Sequence, residues 1–103
     1  MPEKLIRRLV ELNTKDCLWI YILSILSEKP VHAYSIRNII EMRFGFRPGN
    51  VTAYRVLYYL TTKGYVNNKA EGRRKIYSIT PSGKKELSNA IGFYKKQISI
   101  LGE

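Results

Sequence analysis

The stretch Leu18-Trp19-Ile20-Tyr21-Ile22-Leu23-Ser24-Ile25-Leu26 is apolar on almost every side of a helix, and this constrains everything around it. A helix with no polar face has to be surrounded, so the remaining elements must wrap it. The chain's longest unbroken apolar run, Cys17 to Leu23, has seven residues, against roughly 20 for a membrane-spanning helix. The stretch reads as a central, buried helix, capped by Asp16, running to about Ser27 and broken by Lys29-Pro30. A chain of 103 residues has room for one such core, so a single domain over 1–103 is expected.

The wrapping elements can be read from spacing. Leu5, Ile6, Leu9, Val10 and Leu12 recur at helical intervals opposite Arg7, Arg8 and Glu11, which predicts a helix over about 3–12 ended by Asn13-Thr14. Another spans about His32 to Arg43, with Ala33, Ile36, Ile39 and Ile40 as its inner stripe. Phe44-Gly45-Phe46-Arg47-Pro48-Gly49 is a turn-rich break. Asn50 then suits the N-cap of a helix from Val51 to Lys63, with Gly64 as its C′ residue. Tyr65-Val66-Asn67 and Ile76-Tyr77-Ser78-Ile79 are strand-like and flank the polar tip Ala70-Glu71-Gly72-Arg73. Thr80-Pro81 opens a last helix to about Leu101. The expected fold class is mainly α with a small β-hairpin, in the layout of a winged helix-turn-helix with extra helices at both ends.

The charge is unevenly placed. The chain holds 18 Lys+Arg against 8 Asp+Glu, a net +10. From Arg43 to Lys85 there are ten bases and a single acid, Glu71, whereas the rest of the chain holds eight bases and seven acids. A merely solubilising surface mixes both signs. Clustering of one sign on the second helix of the pair, the hairpin and the start of the last helix favours a polyanionic partner, nucleic acid before an anionic membrane surface.

On the helix from Val51, Ala53, Val56, Leu57 and Leu60 share one arc and should pack inward. Val51, Arg55, Tyr58, Tyr59 and Thr62 lie opposite, with Thr52 at the edge and Tyr54 at the boundary. In a major groove such a set makes chemical sense: Arg pairs with guanine edges, and Tyr or Thr bonds phosphates or touches a thymine methyl. Arg47, Asn50 and Lys63 border the same face and are counted with it. The alternative is that Tyr58 or Tyr59 folds back onto the core or the hairpin. At the hairpin tip Gly72 permits a tight turn before Arg73, Arg74 and Lys75, which suit phosphates or a narrow minor groove; a solvated hairpin end is the bland alternative.

Leu87, Ile91, Tyr94, Ile98 and Leu101 follow a 4-3-4-3 spacing, an a/d stripe along the last helix. A helix of that length, about 30 Å, overhangs so small a domain, so a homodimer seam is expected, joined by Leu5, Leu9 and Leu12 of the first helix. Both helices folding onto their own core is the alternative.

Catalysis finds no support. His32 is the only histidine and Cys17 the only cysteine, so no multi-ligand metal site or disulfide framework is expected. Gly45 and Gly49 lack the Lys-Ser/Thr of a phosphate-binding loop. No cofactor is expected. The lone cysteine and the lack of a signal-like N-terminus point to a cytoplasmic protein without membrane attachment.

At this point the chain resembles the PadR-like transcriptional regulators, over about residues 16–86. The resemblance rests on His32-Ala33-Tyr34-Ser35-Ile36, on Thr52-Ala53-Tyr54-Arg55-Val56-Leu57-Tyr58-Tyr59-Leu60 with Gly64-Tyr65-Val66, and on Gly72-Arg73-Arg74-Lys75-Ile76-Tyr77-Ser78-Ile79-Thr80-Pro81-Ser82-Gly83. It implies a homodimeric DNA-binding repressor on a palindromic operator, with residues 51–63 as recognition helix, 65–79 as wing and 81–101 as dimerisation arm. Tyr34 matches the family's aromatic at the start of the first helix of the pair, close to the DNA backbone. Ala33 stands where the family usually has glycine, and Tyr58-Tyr59 and Thr61-Thr62 replace mostly charged residues, so operator preference does not carry over. Some relatives bind aromatic or hydrophobic effectors between subunits, which leaves room for a small-molecule effector of unspecified identity; Trp19 itself is read as a core residue. The competing reading from another class is a non-specific nucleoid-type DNA- or RNA-binding protein, and a third is a winged-helix protein–protein module.

Overall fold

The computed structural model describes residues 4–102, so Glu3, placed above in the first helix, lies outside the described residues. The elements are α1 (Lys4–Leu12), a 3-10 turn (Lys15–Cys17), α2 (Leu18–Leu26), β1 (Val31–His32), α3 (Ala33–Phe44), α4 (Asn50–Thr62), β2 (Val66–Glu71), β3 (Arg74–Ile79) and α5 (Pro81–Leu101). As its composition demands, α2 lies at the centre. Its Leu18, Ile22, Leu23, Ile25 and Leu26 are buried among Ile36 and Ile40 of α3, Ala53, Leu57 and Leu60 of α4, and Val66 and Tyr77 of the sheet. Full burial of each such side chain is worth about 1.5–3 kcal/mol relative to exposure. Among the described residues no buried side-chain polar atom lacks a partner.

Four local expectations need correction. Asp16 lies inside the 3-10 turn, which puts Cys17 at the N-cap of α2, with no side-chain capping bond. The second correction concerns Asn50, which is the first residue of α4 and not its cap. Pro48 is buried with its carbonyl held by Arg37 Nε at 2.9 Å, and this sets the helix start one residue early. Gly49 becomes the N-cap, its carbonyl accepting the Ala53 N–H at 2.9 Å.

Third, the sheet has three strands, in the order β1-β3-β2. Val31 and His32 pair antiparallel with Tyr77 and Ile76, so α3 starts at Ala33 with an extended His32 before it. A strand of two residues has no alternation to read; it exists because β3 lies alongside. Fourth, β2 and β3 run on to Glu71 and Arg74, leaving only Gly72-Arg73 as the turn. Gly72 has φ +63° and no other turn residue has positive φ, the pattern of a type II′ hairpin.

Two anchors position the working elements. Tyr21 of α2 meets the rings of Phe44 and Phe46 edge-on, each at 5.0 Å, which pins the turn between α3 and α4. The second anchor is the junction of α4, wing and α5. Gly64 (φ +82°) ends α4 with its N–H on the Thr61 carbonyl, while the Tyr65 N–H reaches Leu60 at 2.9 Å. The Thr80 hydroxyl donates to the Gly64 carbonyl at 2.7 Å and accepts the Gly83 N–H at 3.0 Å, capping α5 behind Pro81.

Gly83 is buried at this junction, and a Cβ there would collide with the Tyr65 carbonyl oxygen and lie 2.7 Å from Ile79 Cγ1. Gly92, further along the same helix, has open space around it. Gly83→Ala is therefore expected to cost at least about 2 kcal/mol by overpacking against backbone. Gly92→Ala should instead stabilise by about 0.5–1 kcal/mol through helix propensity. Urea unfolding midpoints of the two variants check both.

Candidate nucleic-acid interface

Helix α4 turns Ala53, Leu57 and Leu60 inward, with Val56 half-buried, as its periodicity requires. Its other side leaves Val51, Thr52, Tyr54, Arg55, Tyr58, Tyr59 and Thr62 exposed, Tyr58 at 73%. The Thr62 hydroxyl donates back to the Tyr58 carbonyl at 2.9 Å. Lys63 follows with its Nζ 5.8 Å from the Tyr59 ring centre. Asn50 is exposed at the N-terminal end of the helix.

The wing is tied to the start of α3 by two contacts. The Arg74 guanidinium lies over the Tyr34 ring, 4.5 Å from its centre, and donates from Nη1 to the Tyr34 hydroxyl at 3.1 Å. Behind it, His32 Nε2 meets Glu71 Oε1 at 2.9 Å, and the His32 ring tilts against Tyr34 at 5.4 Å. Exposed contacts of this kind are worth about 0.5–1 kcal/mol each. They fix a mobile cation rather than support the core.

Between the wing and the helix pair lies a cleft of about 340 Å³, with Tyr34, Tyr54, Arg73, Arg74 and Lys75 around it and Tyr77 contributing from the sheet. Burial, and secondarily the neighbouring Tyr54, pushes the Tyr77 phenol above its usual range, so its hydroxyl stays protonated at neutral pH. Cations together with phenolic donors suit the oxygens of a phosphodiester backbone.

Arg47 stands apart from this group: Nη1 is committed to Asn38 Oδ1 at 2.6 Å and Glu41 Oε1 at 3.0 Å. His32, Glu71 and Tyr77 belong to the site but were not singled out from the sequence. Their partners are distant in the chain, 39 residues for His32–Glu71, so local pattern carried no signal for them.

At the opposite end, no described residue of α1 is buried; Leu5 is 80% exposed, with Leu9 and Leu12 also on the surface. On α5, Ile91, Ile98 and Leu101 are exposed, Ile98 at 72%. Leu87 instead packs on the core, and half-buried Tyr94 donates to Asn13 Oδ1 at 2.8 Å. The 4-3-4-3 stripe is thus divided between the chain's own core and its surface. A groove of about 590 Å³ separates α1 from the end of α5, with Leu9 and Val10 on one side and Phe93, Ile98 and Leu101 on the other. No helix among the described residues is long and apolar enough to cross a membrane.

Comparison with known proteins agrees with this fold. Residues 22–89 match the family model described as the transcriptional regulator PadR-like family. Among solved structures, a transcriptional regulator from Clostridium thermocellum superposes with a TM-score of 0.76 at 22% identity, over 82% of this chain and 89% of that one. A PadR family transcription regulator from Clostridium difficile gives 0.71 at 25% identity, over 84% and 98%. Bacillus subtilis PadR in complex with operator DNA gives 0.63 at 26% identity, over 72% of this chain and 45% of that one. A search of curated protein sequences finds no match.

The tether to Tyr34 distinguishes Arg74 from Arg73. Arg74→Ala is expected to speed amide hydrogen exchange in Lys69–Lys75 by about two- to fivefold, the equivalent of one lost cation–π contact. Arg73→Ala, at the free tip, should leave exchange there unchanged.

Proposed function

The chain belongs to the PadR-like family of transcriptional regulators, and on that premise we propose that it is a sequence-specific repressor that binds a palindromic operator in double-stranded DNA as a homodimer. The observation that carries this reading is the exposed row Arg55, Tyr58, Tyr59 and Thr62 on α4, set beside a cationic wing that is already anchored to α3. In this reading α4 lies in the major groove, where Arg55 forks onto a guanine edge and Tyr58 and Tyr59 reach bases or phosphates. Val51, Thr52, Asn50 and Tyr54 border the contact, and Lys63 takes a phosphate. Tyr34, Arg73, Arg74 and Lys75 follow the backbone beside the wing, with the tip directed at a minor groove. Arg47, held by Glu41 and Asn38, contributes at most a flanking phosphate contact.

The homodimer is supported by the apolar residues that one chain leaves uncovered. Leu5, Leu9 and Leu12 of α1 and Ile91, Ile98 and Leu101 of α5 are exposed, and Leu9, Ile98 and Leu101 line one groove. Two copies would cover them across a two-fold axis and set their recognition helices about 34 Å apart, one turn of B-DNA. The Bacillus subtilis relative solved with operator DNA supports the duplex as partner. The second reading, a nucleoid-type binder, uses the same cationic surface without base discrimination.

Competition binding separates the two. A repressor should prefer its inverted repeat, found by selection from random oligonucleotides, by at least about 10³-fold over random duplex. A nucleoid protein shows no such preference. Arg55→Ala is expected to weaken operator binding by about 1–3 kcal/mol and relax one base position; equal loss on random DNA would remove the base-reading role. Ile98→Asp should yield monomers in sedimentation that bind half-sites poorly, whereas an undisturbed dimer contradicts the seam.

A further inference from the structure

The cleft between the wing and the helix pair holds one group that the proposed duplex contacts leave unused, the hydroxyl of Tyr77. Side chains alternate along β3, so Lys75 and Tyr77 share the face turned to the core, while Arg74 and Ile76 share the other. Tyr77 is packed into that core and is 6% exposed. Among the described residues its hydroxyl has no hydrogen-bond partner, and yet no fully enclosed side-chain polar atom there is unpartnered. The oxygen therefore opens into the cleft that Tyr77 lines. A buried phenol without an acceptor is destabilising, so the position calls for one from outside the chain.

The surroundings define that acceptor. Arg73 and Lys75 line the cleft and make no ion pair among the described residues. Arg74, bonded to Tyr34 through Nη1, keeps further N–H donors. No carboxylate among the described residues lines the cleft; Glu71 projects from the other face of the sheet and is taken by His32. Tyr54 of α4 adds an exposed ring on the helix side.

We propose that this cleft binds a nucleoside monophosphate, its phosphoryl group seated on the Tyr77 hydroxyl among Arg73, Arg74 and Lys75, its base against the Tyr54 ring. A terminal phosphoryl group brings three acceptor oxygens and about 1.5–2 negative charges, which match a phenol on the floor and cations on the rim. A backbone phosphodiester has a single charge and a sugar on each side, so it meets the rim and leaves the floor unused. A cleft of about 340 Å³ is at the small end of ligand sites, roughly 300–1,000 Å³, which suits a mononucleotide. Stacking on one ring accepts any base, so the phosphoryl group carries the recognition. The wing cations also serve the duplex contacts proposed above, so occupancy is expected to lower duplex affinity. That consequence alone rests on the operator reading.

Amide chemical shifts of the purified chain, without DNA and at fixed ionic strength, are followed against adenosine monophosphate, adenosine, cyclic adenosine monophosphate and sulfate. The expected result is a saturable shift at Ala33 and Lys75–Tyr77 with the monoester. Its affinity should be at least about tenfold above that of adenosine or sulfate, and at least about threefold above that of the cyclic diester. Tyr77→Phe, which removes only the hydroxyl, should weaken the monoester about tenfold. Lys75→Gln should weaken it at least about threefold, whereas Lys69→Gln, an equal change of charge on the outer face of the sheet, should leave it unchanged. If Tyr77→Phe loses its far-UV circular dichroism, the two lysine variants decide. No saturable shift, equal affinity for sulfate, adenosine or the diester, full affinity in Tyr77→Phe, or equal effects of the two lysine changes overturns the proposal. Because DNA is absent, none of these outcomes bears on operator binding; a subsequent competition with duplex tests the link through the wing cations.

Discussion

One threonine side chain holds the working parts in register. The Thr80 hydroxyl donates to the carbonyl of Gly64, where α4 has just ended, and receives the N–H of Gly83, where α5 is beginning. The Thr80 N–H adds a bond to the Tyr65 carbonyl at 3.1 Å, closing the base of the wing. Helix α4, both legs of the hairpin and α5 therefore meet within one residue's reach. Gly83 is part of the same arrangement, since any side chain there would push α5 off the Tyr65 carbonyl. The hydrophobic core supplies most of the folding free energy, but it is non-directional. The hydrogen bonds at this corner specify the angle at which α5 leaves.

Much of this was written in local sequence. The all-apolar α2 had to be central, Gly64 had to end α4, and Thr80-Pro81 had to begin α5, because each follows from periodicity or backbone sterics of adjacent residues. What escaped was set by tertiary contact. Strand β1 exists only opposite Tyr77 and Ile76. The cap of α4 shifted to Gly49 because Arg37 holds the Pro48 carbonyl from another helix. Trp19, read as core, does pack against it, and that it also borders two clefts beside α5 had no local signal. On the candidate interface, the exposed face of α4 was legible from helical phase. The anchoring of Arg74 on Tyr34, 40 residues away, was not.

Charge count and charge availability also differ here. Arg47 contributes to the cationic excess of the middle of the chain but is tied to Glu41 and Asn38. Glu71, the single acid in that stretch, does not simply subtract from it; paired with His32, it holds the wing at the angle where Arg74 meets Tyr34. Residues fixed before a partner arrives lose less conformational freedom on association, which favours affinity without adding contacts.

The two-residue strand β1 carries a mechanical implication. It runs directly into α3 and is bonded to β3, so the hairpin and the start of the helix pair form one stiff body with no hinge between them. Such a body accommodates an imperfect site poorly by changing its own shape. In the operator-binding reading proposed above, misfit would then be taken up by the bending and twisting of the double helix, and stiffness along its base steps would become part of what is discriminated, even where no side chain touches a base.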